Sequence, residues 1–321
     1  MVVALSPWAL RGTAARAASM TSVTQVMNWF PEPEHGGYYS GVMLGIYKKY
    51  GLNMKIVPYS FSINADAQVA LGHITFGMTN ADALFEDRAQ GLPLVAVMAT
   101  FQTNLQCFMW HAGDKTIKTL ADLSNHTIIY TFGAAFWDYM KNKYHYKNIK
   151  EVNYDFTLRR FLATPNAVNQ CYITSEPYTA IHSGHPVKAA LIASTGYNPY
   201  GDVMVTNESE IKNHPDVVKA YVAASVAGWK AYYNHANTEK VNAYMRADPT
   251  SKNYPLTPDA MRYDQVHSMP LVIGGKAATH GIGYIDPARM VLLKKQLLSV
   301  GIKVAKVDPM STFTDRFLPG T

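Results

Sequence analysis

Between Val23 and Thr100 the chain repeats one pattern: a short apolar run, a turn, a segment with apolar residues at helical spacing, then a stop. Val23 to Met27, Leu52 to Pro58, Ile74 to Met78 and Pro93 to Thr100 have the length and content of strands. Between them, Tyr39, Val42, Met43, Ile46 and Tyr50 keep a helical period up to Gly51. Ile63 to Leu71 closes at Gly72, and Ala81 to Gln90 closes at Gly91. Crossovers of this length suit a parallel, doubly wound α/β sheet. Leu105 to Trp110 is extended and leads away from that sheet, and the pattern then restarts. Thr127 to Thr131, Val152 to Phe156, Val168 to Thr174 and Val187 to Ala193 read as strands, with helices after Phe132 and from Ser175 onward. Asp202 to Thr206 is extended again and matches a return crossing. Beyond Asn207 the pattern is helical: Pro215 to Asn234, Thr238 to Ala247, Pro258 to Met269 and Pro287 to Val300. The reading is two α/β lobes, residues 22–106 with 203–321 and residues 107–202. They join through two crossings, and a helical tail packs around the first lobe.

A double crossing between two sheets makes a hinge, and a hinge makes a cleft that can close on a small molecule. The strand-to-helix turns at 29–39, 79–82, 131–137 and 174–178 are expected to face it, since such sheets bind ligands at the carboxyl ends of their strands. The first turn organises the others. In Asn28-Trp29-Phe30-Pro31-Glu32-Pro33-Glu34-His35-Gly36-Gly37-Tyr38-Tyr39, two prolines and two glycines make a rigid loop carrying a Trp, a His and two Tyr. The candidate ligand-binding residues are Trp29, His35, Tyr38, Tyr59, Asn80, Asp82, Trp137, Glu176 and Tyr178. Aromatic faces, those of Tyr39 and Phe61 among them, suit a flat conjugated ligand. Glu34, Asp82 and Glu176 are placed to accept hydrogen bonds from amino groups on it. Several have a structural reading beside the functional one. Tyr39 and Trp137 can belong to the core. Asp82 can serve the helix dipole, and Glu176, before Pro177, can serve a helix start.

Residues 1–21 differ from the rest. Val2 to Leu10 is apolar, and Ala15-Arg16-Ala17 and Ala17-Ala18-Ser19 are small-residue steps of the kind signal peptidase cleaves. An export signal is the reading, although no basic region precedes the apolar run, and a disordered extension is the alternative. The excess of 29 Lys+Arg over 23 Asp+Glu is spread along the chain and forms no block that would grip nucleic acid. Cys107 and Cys171 are the only cysteines. They can pair in an exported chain, but two buried thiols on separate strands is the preferred reading, and they are too few for a metal site. No metal or cofactor is expected.

Asn28-Trp29, Pro31, Pro33 and His35, then Gly45, Tyr47 and Gly51-Leu52, resemble the opening of NMT1/THI5-like proteins. So do Leu71 to Met78 and Arg88-Ala89-Gln90-Gly91-Leu92-Pro93. The resemblance spans roughly residues 22–235. It implies a type II periplasmic-binding-protein fold and an exported, periplasmic, monomeric protein. Such a protein hands a solute to the permease and ATPase of an ABC importer. It further implies that Trp29, and more loosely Tyr38, hold a heterocycle, with a thiamine pyrimidine precursor as first choice. An alkanesulfonate, taurine, nitrate or riboflavin-like solute is the alternative, because helix N-termini favour anions; a receptor that signals without transport is a third. The related pyrimidine synthase carries a Lys and a His where this chain has Thr79 and Ala83. Its cysteine cluster has no counterpart in Tyr197 to Asp202, so a binding protein rather than an enzyme is expected.

Overall fold

The computed structural model describes residues 20–57, 59–60 and 62–320. The export-signal reading of residues 1–19 and the ring of Phe61 lie outside the described residues. The first sheet begins at once with β1 (Thr21–Val26), so Thr21, read as the end of the extension, is already strand. α1 (Gly36–Met43), α2 (Ile46–Lys49), β2 (Leu52–Val57), α3 (Ala65–Ala70), β3 (Phe76–Thr79), α4 (Ala81–Ala89) and β4 (Leu94–Ala99) follow. One helix was expected up to Tyr50. It breaks in two at Gly45, whose φ of 66° is the left-handed conformation that glycine adopts without penalty.

The second sheet is built from β5 (Gln106–His111), β6 (Thr127–Tyr130), α5 (Ala135–Tyr144), β7 (Lys150–Asn153), α6 (Arg159–Ala163), β8 (Ala167–Tyr172), α7 (Glu176–His182) and β9 (Val187–Leu191). β10 (Val203–Asn207) returns the chain to the first sheet. α8 (Glu208–Asn213), α9 (Pro215–Tyr232), α10 (His235–Arg246), α11 (Pro258–Ile273), α12 (Ala277–His280) and α13 (Pro287–Ser299) complete it.

Both sheets have five strands, in the orders β2-β1-β3-β10-β4 and β7-β6-β8-β5-β9. Each has a parallel core, β1 with β2 and β3, and β6 with β7 and β8. Each also takes one antiparallel strand from a crossing: β10 lies between β3 and β4, and β5 between β8 and β9. The crossings are thus themselves sheet strands. Cys107 and Cys171 sit opposite one another on β5 and β8 and form a disulfide. This corrects the reading of two separate thiols: the strands were foreseen, but not that the crossing strand would be the neighbour of β8.

α9 buries Val218, Tyr221, Val222, Ser225, Trp229 and Tyr232 along one face, which packs on α1. The two helices touch backbone to backbone. A Cβ on Gly37 would lie 2.2 Å from the Trp229 ring, and one on Gly228 2.2 Å from the Gly37 carbonyl oxygen. Gly36 and Gly37 therefore belong to a helix crossing rather than to the loop. The tail is not confined to the first sheet's body. α13 contacts both α4 and α5, with Asn142 Nδ2 donating to Ser299 O and Gln296 Nε2 to Gly196 O.

Candidate ligand-binding cleft

The carboxyl ends of both parallel cores open onto one cavity of about 630 Å³. From the first sheet's side come Asn28, Trp29, Glu32, Glu34 and Tyr59, the start of α4 (Asn80, Asp82, Ala83, Glu86), and Tyr254 from the tail. From the second come Gln106, residues 131 and 133–136, Tyr154, Phe156, Thr157 and Leu158, Gln170 to Tyr172, and Ser175, Glu176 and Thr179. Around Trp29 the rings gather. Tyr59 stacks at 5.2 Å between centroids, Phe156 is tilted at 5.7 Å, and Tyr254 meets it edge-on at 5.7 Å. Phe156 is 51% exposed and holds a φ of 58°, a conformation a bulky residue rarely adopts, so the chain turns sharply to bring this ring to Trp29.

Trp29, Tyr59, Asn80, Asp82 and Glu176 of the predicted set stand in the wall; His35, Tyr38, Trp137 and Tyr178 do not. His35 is buried behind it, where Nε2–H donates to Asn28 Oδ1 at 3.0 Å and Asn28 Nδ2 donates to Asp202 Oδ1 at 2.6 Å. It positions a wall residue instead of being one. Burial lowers its pKa to about 3, so the ring is neutral. Tyr38 faces α9 because α1 starts early, with its hydroxyl on Thr100 Oγ1 at 2.6 Å and its ring edge-on to Trp229. Trp137 is core, donating from Nε1 to Glu151 and stacking on Tyr146. Tyr178 lies about 200° around α7 from Glu176 at roughly 100° per residue, and so points away. It packs between His182 and Tyr263. Thr179, one residue on, returns toward the Glu176 face and does line the cavity.

The wall carries five carboxylates, Glu32, Glu34, Asp82, Glu86 and Glu176, and among the described residues no Lys, Arg or His. Glu32 and Glu34 are buried, and burial raises both pKa values well above the carboxylate range. Neighbouring carboxylates push further: Asp264 and Asp202 act on both, Glu176 on Glu32, and Glu32 on Glu34. Thr174 Oγ1 donates to Glu34 from the other sheet. Asp202 is raised to about 7 by burial, against the lowering hydrogen bond from Asn28. Burial raises Asp82 and Glu176 too, although each is hydrogen-bonded. Asp82 accepts from Tyr197 and Ala83 N; Glu176 accepts from Tyr172 N and Tyr154. These bonds consume helix-start and strand-end N–H groups that an anion would need. The Ala81 N–H is already given to Tyr200 O.

Sequence reasoning missed Glu32, Tyr154, Phe156 and Tyr254. Glu32 had a signal, since Pro31 and Pro33 fix the backbone on either side of it. Phe156 fell inside a predicted strand that ends at Asn153 instead. Tyr254 sits just after a 3-10 turn (Pro249–Asn253) and before α11, where no periodicity points to a site.

Two parallel-core sheets joined by two crossings over one cavity define the periplasmic-binding-protein fold. The aliphatic sulphonate-binding protein of Escherichia coli has the same fold, with a TM-score of 0.71 at 12% identity over 92% of this chain and 93% of that one. The family described as NMT1/THI5 like matches residues 32–239, and the chain belongs to it. A riboflavin-binding protein of Chloroflexus aurantiacus is 23% identical over 94% of this chain and 87% of its own length. A formylaminopyrimidine-binding protein of Halalkalibacterium halodurans is 21% identical over 76% of each.

Proposed function

We propose that the protein is the solute-binding component of an ABC importer, exported to the periplasm and monomeric. In this reading it carries a flat heteroaromatic ligand with amino groups, of the hydroxymethylpyrimidine kind, to a permease and its ATPase. The observation that carries the ligand class is the pairing of the ring cluster around Trp29 with a wall of carboxylates and no basic side chain. Ring faces bind a flat ligand, and carboxylates accept from its amino groups. A sulfonate or nitrate would face those carboxylates with no cation to offset them. The names of the two relatives, a riboflavin binder and a formylaminopyrimidine binder, agree with a flat, nitrogen-rich ligand. The bodies that close on it are residues 22–106 with 203–321 and residues 107–202.

Binding without chemistry is supported by the groups that catalysis would need. Thr79, at the synthase's Lys position, gives its hydroxyl to Asp66, and both cysteines are held in the disulfide, so neither supplies a thiolate. A second reading, a flavin-sized ligand, is favoured by volume. About 630 Å³ exceeds the need of a single six-membered ring and lies mid-range for small-molecule pockets.

Titration calorimetry with 4-amino-5-hydroxymethyl-2-methylpyrimidine, riboflavin and taurine tests this. One of the two heterocycles should saturate one site per chain while taurine gives no binding heat. Saturation by taurine alone would overturn the ligand class.

A further inference from the structure

Glu32 is the most unusual residue of the cavity wall. It is only 6% exposed, yet among the described residues its carboxylate accepts no hydrogen bond and meets no cation. The ionisable groups that face it are acidic: Asp264 from α11, Asp202 from the crossing before β10, and Glu176 from α7. Glu34 of its own loop faces it as well. His35 adds no charge, being buried and committed to Asn28. A second acceptor is also unanswered: Asn80 Oδ1, on the same wall, is buried with no partner. Polar groups in a native protein's interior are nearly always paired; Asn80 Oδ1 is closed off even from the cavity, whereas the Glu32 carboxylate opens onto it, so Glu32 marks the place of a missing donor.

The missing group is organic rather than a metal ion. Among the described residues no three acidic, His or Cys side chains gather closely enough to hold a metal. Beside the acidic groups stand the rings of Trp29, Tyr59, Phe156 and Tyr254, and ring faces attract cations. A neutral amine would fill the hydrogen bonds but leave the carboxylates facing one another. A positive charge fills the bonds and offsets the repulsion together, and at low local dielectric the second effect is strong.

We propose that the cavity takes an organic cation, a flat ring bearing or adjoining a protonated or quaternary nitrogen, with the positive charge seated against Glu32. This rests on the heteroaromatic-binding reading above and narrows its ligand class. Negative faces and negative groups converge on one volume, and a neutral heterocycle is the weaker occupant.

The test compares two probes by calorimetry at pH 7.5: the neutral 4-amino-5-hydroxymethyl-2-methylpyrimidine and its N-methylated pyrimidinium. The pyrimidinium should bind the wild-type protein at least tenfold tighter. In Glu32→Gln that preference should shrink by at least tenfold. Equal or tighter binding of the neutral ring to wild type would overturn the cation assignment while leaving the heteroaromatic reading in place. Failure of both probes, and of riboflavin, would overturn both. A preference that survives Glu32→Gln intact would remove Glu32 from the role. Should the variant not fold, the wild-type pair alone decides.

Discussion

The hinge and the cavity are both buried, polar and shared between the two sheets, but only one of them is complete. At the hinge, Arg289 of α13 donates to Asn198 O at 2.6 Å, Asn198 Oδ1 at 2.9 Å, Pro199 O at 3.1 Å and also Gln102 O. Its guanidinium lies 3.7 Å from the Tyr200 ring centroid. One side chain thus ties both crossings together and satisfies the carbonyl groups where the chain leaves the sheets. In the cavity, Glu32 and Asn80 Oδ1 have no donor, and the ionisable groups facing Glu32 are all acidic. A closed network holds a shape, whereas an open one costs stability until something else completes it. The difference separates what the fold needs from what a ligand brings.

The comparison breaks most readily at its structural end. Arg289→Ala strands several buried acceptors, each worth roughly 1–3 kcal/mol. Denaturant unfolding should therefore show a loss of about 3–5 kcal/mol. A loss under about 1 kcal/mol would mean the crossings do not depend on this side chain. Cys107–Cys171 closes a loop of 64 residues, and its reduction should cost about 2–4 kcal/mol, read from unfolding with and without reductant. Although Cys171 lines the cavity, it belongs with the hinge as a part of the scaffold.

Trp29 should behave as the opposite of Trp229. Trp229→Ala empties a core site and should cost about 3–5 kcal/mol of stability. Trp29 is half-buried in the wall. Trp29→Ala should weaken a stacked heterocycle by about tenfold to a hundredfold, the equivalent of roughly 1–3 kcal/mol. The unliganded protein should lose less stability than in Trp229→Ala. Unfolding by Trp29→Ala with unchanged affinity per folded molecule would place Trp29 in the scaffold.

The smallest effect is the pH dependence of the unliganded protein. A carboxylate whose folded pKa is raised lends stability that is present at low pH and lost as pH rises through that value. Asp202 and Asp87 are each raised to about 7, chiefly by burial, and Glu32, Glu34 and Asp264 are raised as well. His35 works in the other direction, but only between its folded value of about 3 and its ordinary 6.5. From pH 6.5 to 8 the carboxylates act alone, so the melting temperature should fall. Glu32→Gln, which removes one of the titrating carboxyls, should flatten that fall. A flat wild-type profile over this range would mean that these groups carry no unusual protonation.

The architecture was legible because it rests on period and punctuation. Apolar runs and the glycines at 51, 72 and 91 mark the ends of elements whatever their partners. What failed depended on partners. Tyr38 and Trp137 look like cleft aromatics in sequence, but helix rotation turns them toward α9 and the core of the second body. The Cys107–Cys171 pairing required knowing which strand lies beside β8. Tyr254 reaches the cavity from a tail whose packing no local pattern encodes. Trp29, Tyr59, Asn80, Asp82 and Glu176 line the cavity because each lies on or beside a carboxyl-end turn on the side that faces it.

The most direct test of the unfinished region is the affinity of an aminopyrimidine beside its analogue with hydrogen in place of the exocyclic amino group. Both stack equally on Trp29, and only one can donate to the carboxylates. Loss of the amino group should weaken binding by at least about tenfold, the equivalent of one good hydrogen bond to a charged acceptor. Equal affinity of the two would show that the acidic wall does not read the ligand, and that the unanswered carboxylate of Glu32 has another cause.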